Sequence, residues 1–236
     1  MKTPFSMHAA VNEDKRHAQM AIAVAENIPR FYPEPFNEDV LHIACYGPSL
    51  QWTWEDIGYP LLTVSGAHDY LVDRGLIADW HAEMDPRAHK PLLLQKPQDE
   101  TTYLIASVCH PSIWPRLKGY RVKLWHTTSG KRTAQWVGEN DSGSVFVRGG
   151  SSIGLTALHL GGVLGFRHFE IHGMDGCFLG QRRHAGPHGG HKQEEVEWTV
   201  DGTTYRTTKI MMNSNVELLN MLKMFPMFCV FHGHGL

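Results

Sequence analysis

The sequence predicts an α/β fold: a Rossmann-like, mostly parallel sheet with helices on both faces, plus one β-hairpin set apart from it. Three observations carry this. Short continuous apolar runs recur along the chain, as strands covered on both faces require. Helical segments alternate with those runs, the order that builds a parallel sheet. Residues 194–209 (EEVEWTVDGTTYRTTK) break the pattern by alternating polar and apolar residues about Asp201-Gly202, a hairpin signal.

The elements follow in order. Residues 1–36 read as a helical lead. Met20, Ile22, Val24 and Ile28 are its apolar positions, and Pro29, Pro33 and Pro35 end it. Residues 37–236 read as a single α/β domain. Strands are expected at 41–46 (LHIACY), 61–64 (LLTV), 78–84 (ADWHAEM), 103–108 (YLIASV), 122–125, 144–147, 168–171 and 229–231. Helices are expected at 67–74, 111–117, 152–164 (SIGLTALHLGGVL) and 213–224.

Composition narrows the function. Of the 236 residues 42% are apolar, enough for one large core. The formal net charge of −2 gives no bulk cationic excess, which argues against a nucleic-acid partner. No signal peptide and no run of about 20 apolar residues is visible, so a cytoplasmic protein without a membrane partner is expected. Four dispersed cysteines without a CxxC pair read as reduced thiols. The 16 histidines are unusual: seven follow Arg167, and His184, His188 and His191 share one glycine-rich loop.

Four constellations could carry chemistry. Gly47, Pro48 and Ser49 follow the first strand, where glycine admits close backbone approach and serine can cap a helix or hold a phosphate oxygen. Asp85, Pro86 and Arg87 follow the third; an aspartate there suits a divalent metal, and the arginine suits phosphate. Gly149, Gly150, Ser151 and Ser152 open a helix, an anion-binding arrangement that is equally an N-cap. Gly173, Met174, Asp175 and Gly176 follow the seventh strand and lead to Arg182, Arg183, His184, His188 and His191. Gly186, Pro187 and Gly189 forbid a regular helix in that loop, so a helical HExxH-type zinc site is excluded. The loop could clamp phosphates, bind a metal or supply a general base at His184 or His188. No GxSxG elbow, Walker A loop or GxGxxG fingerprint is present.

Residues 45–50 (CYGPSL), 64–87, 150–166 and 169–178 (FEIHGMDGCF) resemble the MptE-like family, whose namesake is the archaeal 6-hydroxymethylpterin diphosphokinase. The resemblance implies a Rossmann-like domain and transfer of a diphosphoryl group from ATP to a small hydroxylated, pterin-like acceptor with Mg2+. It would place Gly47, Pro48, Ser49 and Gly66 at the nucleotide and Arg87, Gly149, Gly150, Ser151, Ser152 and Arg183 on its phosphates. Asp85 and Asp175 would serve as catalytic or metal ligands, with His184 and His188 moving protons. The chain is also similar to GT-A-like bacterial sialyltransferases in its GPSL turn and Gly-x-Asp after a strand, which implies a nucleotide-sugar donor. It departs from them at Ser65-Gly66-Ala67-His68, where they carry Cys-Asn-Gln. A non-catalytic nucleotide-binding protein is the third alternative. Exposed apolar residues in the lead would suit a homo-oligomer.

Overall fold

The computed structural model describes residues 11–127, 131–187 and 194–235. Eight strands form one sheet, every neighbouring pair parallel: β1 Val40–Ala44, β2 Leu61–Val64, β3 Trp80–Glu83, β4 Thr102–Ala106, β5 Arg121–Thr127, β6 Phe146–Val147, β7 His168–His172 and β10 Phe228–His232. Their spatial order is β10-β7-β1-β2-β3-β4-β5-β6. All eight expected strands are present, within a few residues of the predicted bounds.

Side chains that alternate along a strand feed two cores. Ile43 and Leu62 enter the main core with α1 (Glu13–Ala25) and α6 (Ile153–Val163), whereas their neighbours Ala44 and Leu61 enter a second core with α3 (Ala67–Val72). This two-sided cover is why the strands lack polar alternation. The helical lead is part of the structure: Met20, Ala23 and Phe31 are fully buried in the main core.

α6 is apolar all round because it lies between sheet and solvent-side elements. Gly161 lets it approach closely, since a Cβ there would stand 2.6 Å from the Phe169 ring. Ser152, with extended backbone, accepts from Leu155 N–H at 3.4 Å and starts the helix, as expected of an N-cap.

The hairpin forms as the sequence predicts, from β8 Glu195–Val200 and β9 Thr203–Thr208. Asp201 and Gly202 both have positive φ, +48° and +79°, the two-residue turn that matches strand twist. α7 (Lys209–Met224) follows, starting earlier than expected because Thr208 caps it. Three helices were not anticipated in full: α2 (Leu50–Thr53), one turn long; α4 (Ile113–Arg116), shorter than predicted; and α5 (Lys131–Asn140). In α5 only Thr133 and Val137, four apart, are deeply buried, too faint a stripe to read. Among the described residues no helix is long and apolar enough to cross a membrane.

Candidate functional site

The chain lays β2 through β6 successively to one side of β1. It then returns through α6 and places β7 on the other side. Loops leaving β1 and β7 therefore lie against each other at the strands' C-terminal ends, where open α/β sheets take their ligands. Gly47 N–H donates to Gly173 C=O at 2.8 Å, and Ser49 N–H to Asp175 Oδ2 at 3.0 Å. Gly47 must be glycine, because a Cβ would lie 2.3 Å from both Asp175 Oδ2 and Gly173 O. The start of α6 arrives at the same place: a Cβ on Gly154 would be 3.1 Å from Cys45 Sγ and 3.3 Å from Met174 Cε. The C-terminal segment closes over it, with Gly233 against Ser49 and Gly235 against the Asp175 backbone. Ser49 is fully buried there, and its side chain does not cap α2.

The loop after Asp175 is anchored. Ala185 N–H donates to Tyr46 C=O at 3.1 Å, Gln51 Nε2 donates to Ala185 C=O at 2.8 Å, and Arg182 reaches Gln51 Oε1. The His184 ring stacks on Tyr46, centroids 5.8 Å apart. Gly66 makes room for Tyr46, whose ring a Cβ would meet at 2.5 Å. This anchoring brings Arg183 and His184 within electrostatic range of Lys90, and Arg183 within range of Arg87. Asp85 holds Arg87 through Nε at 2.9 Å and backbone N–H at 3.0 Å, and Lys90 Nζ lies 3.9 Å from its Oδ2.

The electrostatics of this group favour an incoming anion. Burial pushes Asp85 up, but Arg87 and Lys90 outweigh it and hold its carboxyl below the usual range. Burial raises the Glu83 carboxyl and lowers the Lys90 ammonium. Arg183 is lowered by burial and by Arg87, with Glu195 of the hairpin opposing. Burial, then Arg183 and Lys90, push His184 down to about 4, so it is neutral at pH 7. Arg87 and Lys90 thus flank the ionised Asp85, and Arg183 lies between Arg87 and Glu195. Asp175 is raised by burial, against hydrogen bonds from Ser49 that lower it. Burial, then Asp175, raise the Cys45 thiol to about 12, which removes it as a nucleophile.

The expected anion nest at the α6 start is engaged by the protein itself. Gly150 N–H donates to Thr156 Oγ1 at 3.1 Å. Ser151 N–H donates to Glu217 Oε2 at 2.8 Å, and Ser151 Oγ meets Ser214 Oγ at 2.7 Å. Gly149 packs on Thr127. A carboxylate of α7 thus takes the position anticipated for phosphate, a use the helix N-terminus serves equally well.

A family model described as 6-hydroxymethylpterin diphosphokinase MptE-like matches residues 18–181. The chain belongs to the MptE-like family. In structure this MptE-like chain is similar to the MAf glycosyltransferase of Magnetospirillum magneticum AMB-1, with a TM-score of 0.69 at 14% identity over 96% of this chain and 38% of that one. It therefore spans less than two-fifths of that glycosyltransferase's length, and at this identity the likeness shows the fold. No curated protein matches it in sequence.

Of the residues singled out in the sequence, the structure gathers Gly47, Pro48, Ser49 and Asp175 at one point and Asp85, Arg87, Arg183 and His184 at another beside it. His188 and His191 lie outside the described residues. Lys90 and Tyr46 went unread. Lys90 sits three residues after Arg87 with no motif of its own, and only the packed structure shows that it is 9% exposed and faces Asp85. A shallow cleft of about 470 Å³ beside Glu34, Phe36, Trp80 and Phe166 lies at the opposite ends of the strands, away from these groups.

Proposed function

We propose that this chain is a nucleotide-dependent transferase that moves a diphosphoryl group from ATP to a small hydroxylated, pterin-like acceptor. One observation carries the reading: Arg87, Lys90, Arg183 and His184 crowd together beside the Tyr46–Ser49 turn, where an open α/β sheet takes its ligand. The family's printed description supports the group transferred. Phosphoryl chemistry asks mainly for positioning and charge neutralisation. The acceptor hydroxyl oxygen would bond to the β-phosphorus as the bond to the bridging α–β oxygen breaks and AMP leaves. The hydroxyl proton would pass to the neutral His184, whose basicity rises once phosphates offset Arg183 and Lys90.

The resemblance implies Mg2+, which would neutralise phosphate charge and orient the phosphates. Asp175 fits as its protein ligand by position: it is buried at the turn beside Gly47 and Ser49, and one carboxylate beside phosphate oxygens suffices for this ion. Asp85 fits less well, because Arg87 engages both its oxygens, so its part in the reading is to hold Arg87. Binding would require residues 233–235 to yield at Asp175.

A second reading is glycosyl transfer from a nucleotide sugar. It is favoured by the 96% of this chain that superposes on a glycosyltransferase, and a sugar nucleotide's diphosphate would suit the same cations. Thermal-shift titration with ATP, GTP, CMP and UDP-sugars, with and without Mg2+, separates the readings, followed by phosphorus NMR of the ATP reaction with hydroxymethylpterin. Stabilisation by ATP and release of AMP support the first. Stabilisation by CMP or UDP-sugars alone moves the assignment to the second. Binding without turnover of any acceptor leaves a nucleotide-binding protein.

A further inference from the structure

Three adjacent strands carry histidine or glutamate on one face, just below the switch point. In the register, His42 of β1 stands beside Glu170 of β7, and His172 of β7 stands beside His232 of β10. Glu170 and His172 are two apart on one strand and so point the same way. His42 Nδ1 lies 3.5 Å from His172 Nε2 and 3.7 Å from Glu170 Oε2, and His232 Nε2 lies 3.3 Å from the same oxygen. The His172 and His232 rings are parallel, 4.3 Å between centroids. One ligand atom from each of His42, Glu170 and His172 falls within 4.8 Å of the others.

These separations match a metal's needs. Ligands about 2.0–2.1 Å from a tetrahedral zinc ion stand roughly 3.3 Å from one another. The cluster is only partly satisfied from within: His42 Nδ1 and His172 Nε2 share one long hydrogen bond. The buried Nε2 of His232, 3.3 Å from Glu170 Oε2, makes no hydrogen bond. His42 Nδ1 accepts Gly58 N–H at 3.2 Å, a lone pair that a metal would take over. Gly58 closes tightly on this ring, since a Cβ there would be 2.7 Å from His42 Nε2.

We propose that His42, Glu170 and His172 form a binding site for a zinc-class divalent ion, with His232 stacked on His172 beside it. Two imidazoles and one carboxylate suit zinc rather than magnesium. The site is separate from the magnesium position proposed at Asp175. Its consequence is structural: the ion would tie β7 to β1 and fix His172 and Glu170, against which His232 of β10 rests, and His232 immediately precedes the Gly233 that lies on Ser49. Metal loading would thereby hold the C-terminal segment over the switch point.

The test is titration of the metal-free full chain with Zn2+ against a chromophoric chelator, with the Co2+ visible spectrum as a report on geometry. The expected result is one ion per chain, tetrahedral Co2+ bands, and slower amide exchange over residues 228–235 in the loaded protein. Glu170→Gln and His172→Ala should each weaken binding at least tenfold. Combined His188→Ala and His191→Ala should leave it unchanged, which separates this cluster from the histidine-rich loop. Glu170 is partly exposed, so its variant keeps the test sound if His172→Ala fails to fold. Absence of stoichiometric binding, binding indifferent to Glu170→Gln in folded protein, or binding lost with the loop histidines overturns the proposal.

Discussion

The two sides of the sheet each bury a histidine, and they bury it differently. On β5, His126 has both ring nitrogens satisfied: Nδ1 meets Ser107 Oγ at 2.8 Å and Nε2 meets Asp141 Oδ2 at 2.8 Å. Asp141 is in turn held by Arg30 and Ser144. On β7, the equally buried His172 meets another histidine, His42, at 3.5 Å and stacks on a third, His232, with no carboxylate closing the contact as Asp141 does. A closed network of this kind stabilises a fold, because each desolvated group is repaid by a partner. An open one costs stability unless something arrives to complete it. Burial of histidine alone therefore says nothing about function; the state of both nitrogens does.

The largest expected effect breaks the closed side. Asp141→Ala strands Arg30 and His126 in the interior and should cost about 3–5 kcal/mol, read as a lowered urea midpoint with an unchanged slope. A loss under about 1 kcal/mol would show that the network is not closed in solution.

Between the two sides lies the cationic group at the β3 end, with Arg87 and Lys90 beside Asp85. Lys90→Gln should weaken ATP binding by about 10- to 100-fold, the worth of one charge-assisted hydrogen bond at roughly 1.5–3 kcal/mol. Calorimetric titration reads this directly, and unaltered affinity would remove Lys90 from the site. The same anion should raise the His184 pKa from about 4, so ATP binding near pH 5 should take up protons, seen as a binding heat that changes with the buffer's ionisation enthalpy.

Acid sharpens the contrast. Burial pushes the Asp141 carboxyl up, but Arg30, His126 and Ser144 outweigh it and hold it down to about 2. Its folded pKa lies below the unfolded value of about 3.9, so its contribution is complete above pH 4 and lost as pH falls toward 2. The loss should be roughly 2 kcal/mol. Asp141→Asn should flatten this part of the stability profile, while leaving any decline nearer pH 6 that His126 causes by resisting protonation.

The smallest effect belongs to the open side. In metal-free protein Glu170→Gln should change stability by less than about 1 kcal/mol, because its carboxylate sits in a partly exposed, incomplete cluster. A cost like that of Asp141→Ala would make the two sides alike.

Much of the fold was legible because it is local. The eight apolar runs, the Asp201-Gly202 turn and the Ser152 cap follow from side-chain period, φ preference and a hydroxyl's reach to a nearby N–H, none of which needs distant chain. Parts of the candidate site were legible for the same reason, as strand ends rich in glycine, aspartate and serine. What the sequence could not settle is which strand ends become neighbours. The return of α6 beneath the sheet decides that, bringing residues more than a hundred positions apart to Ser49–Asp175 and to His42–Glu170–His172. The sequence by itself determined the elements and the turns between them. The tertiary structure alone decided that Lys90 would face Asp85, that Glu217 would occupy the α6 N-terminus, and that three histidines and a glutamate would share one face. Strand order is set by packing over the whole chain, and local periodicity carries no record of it.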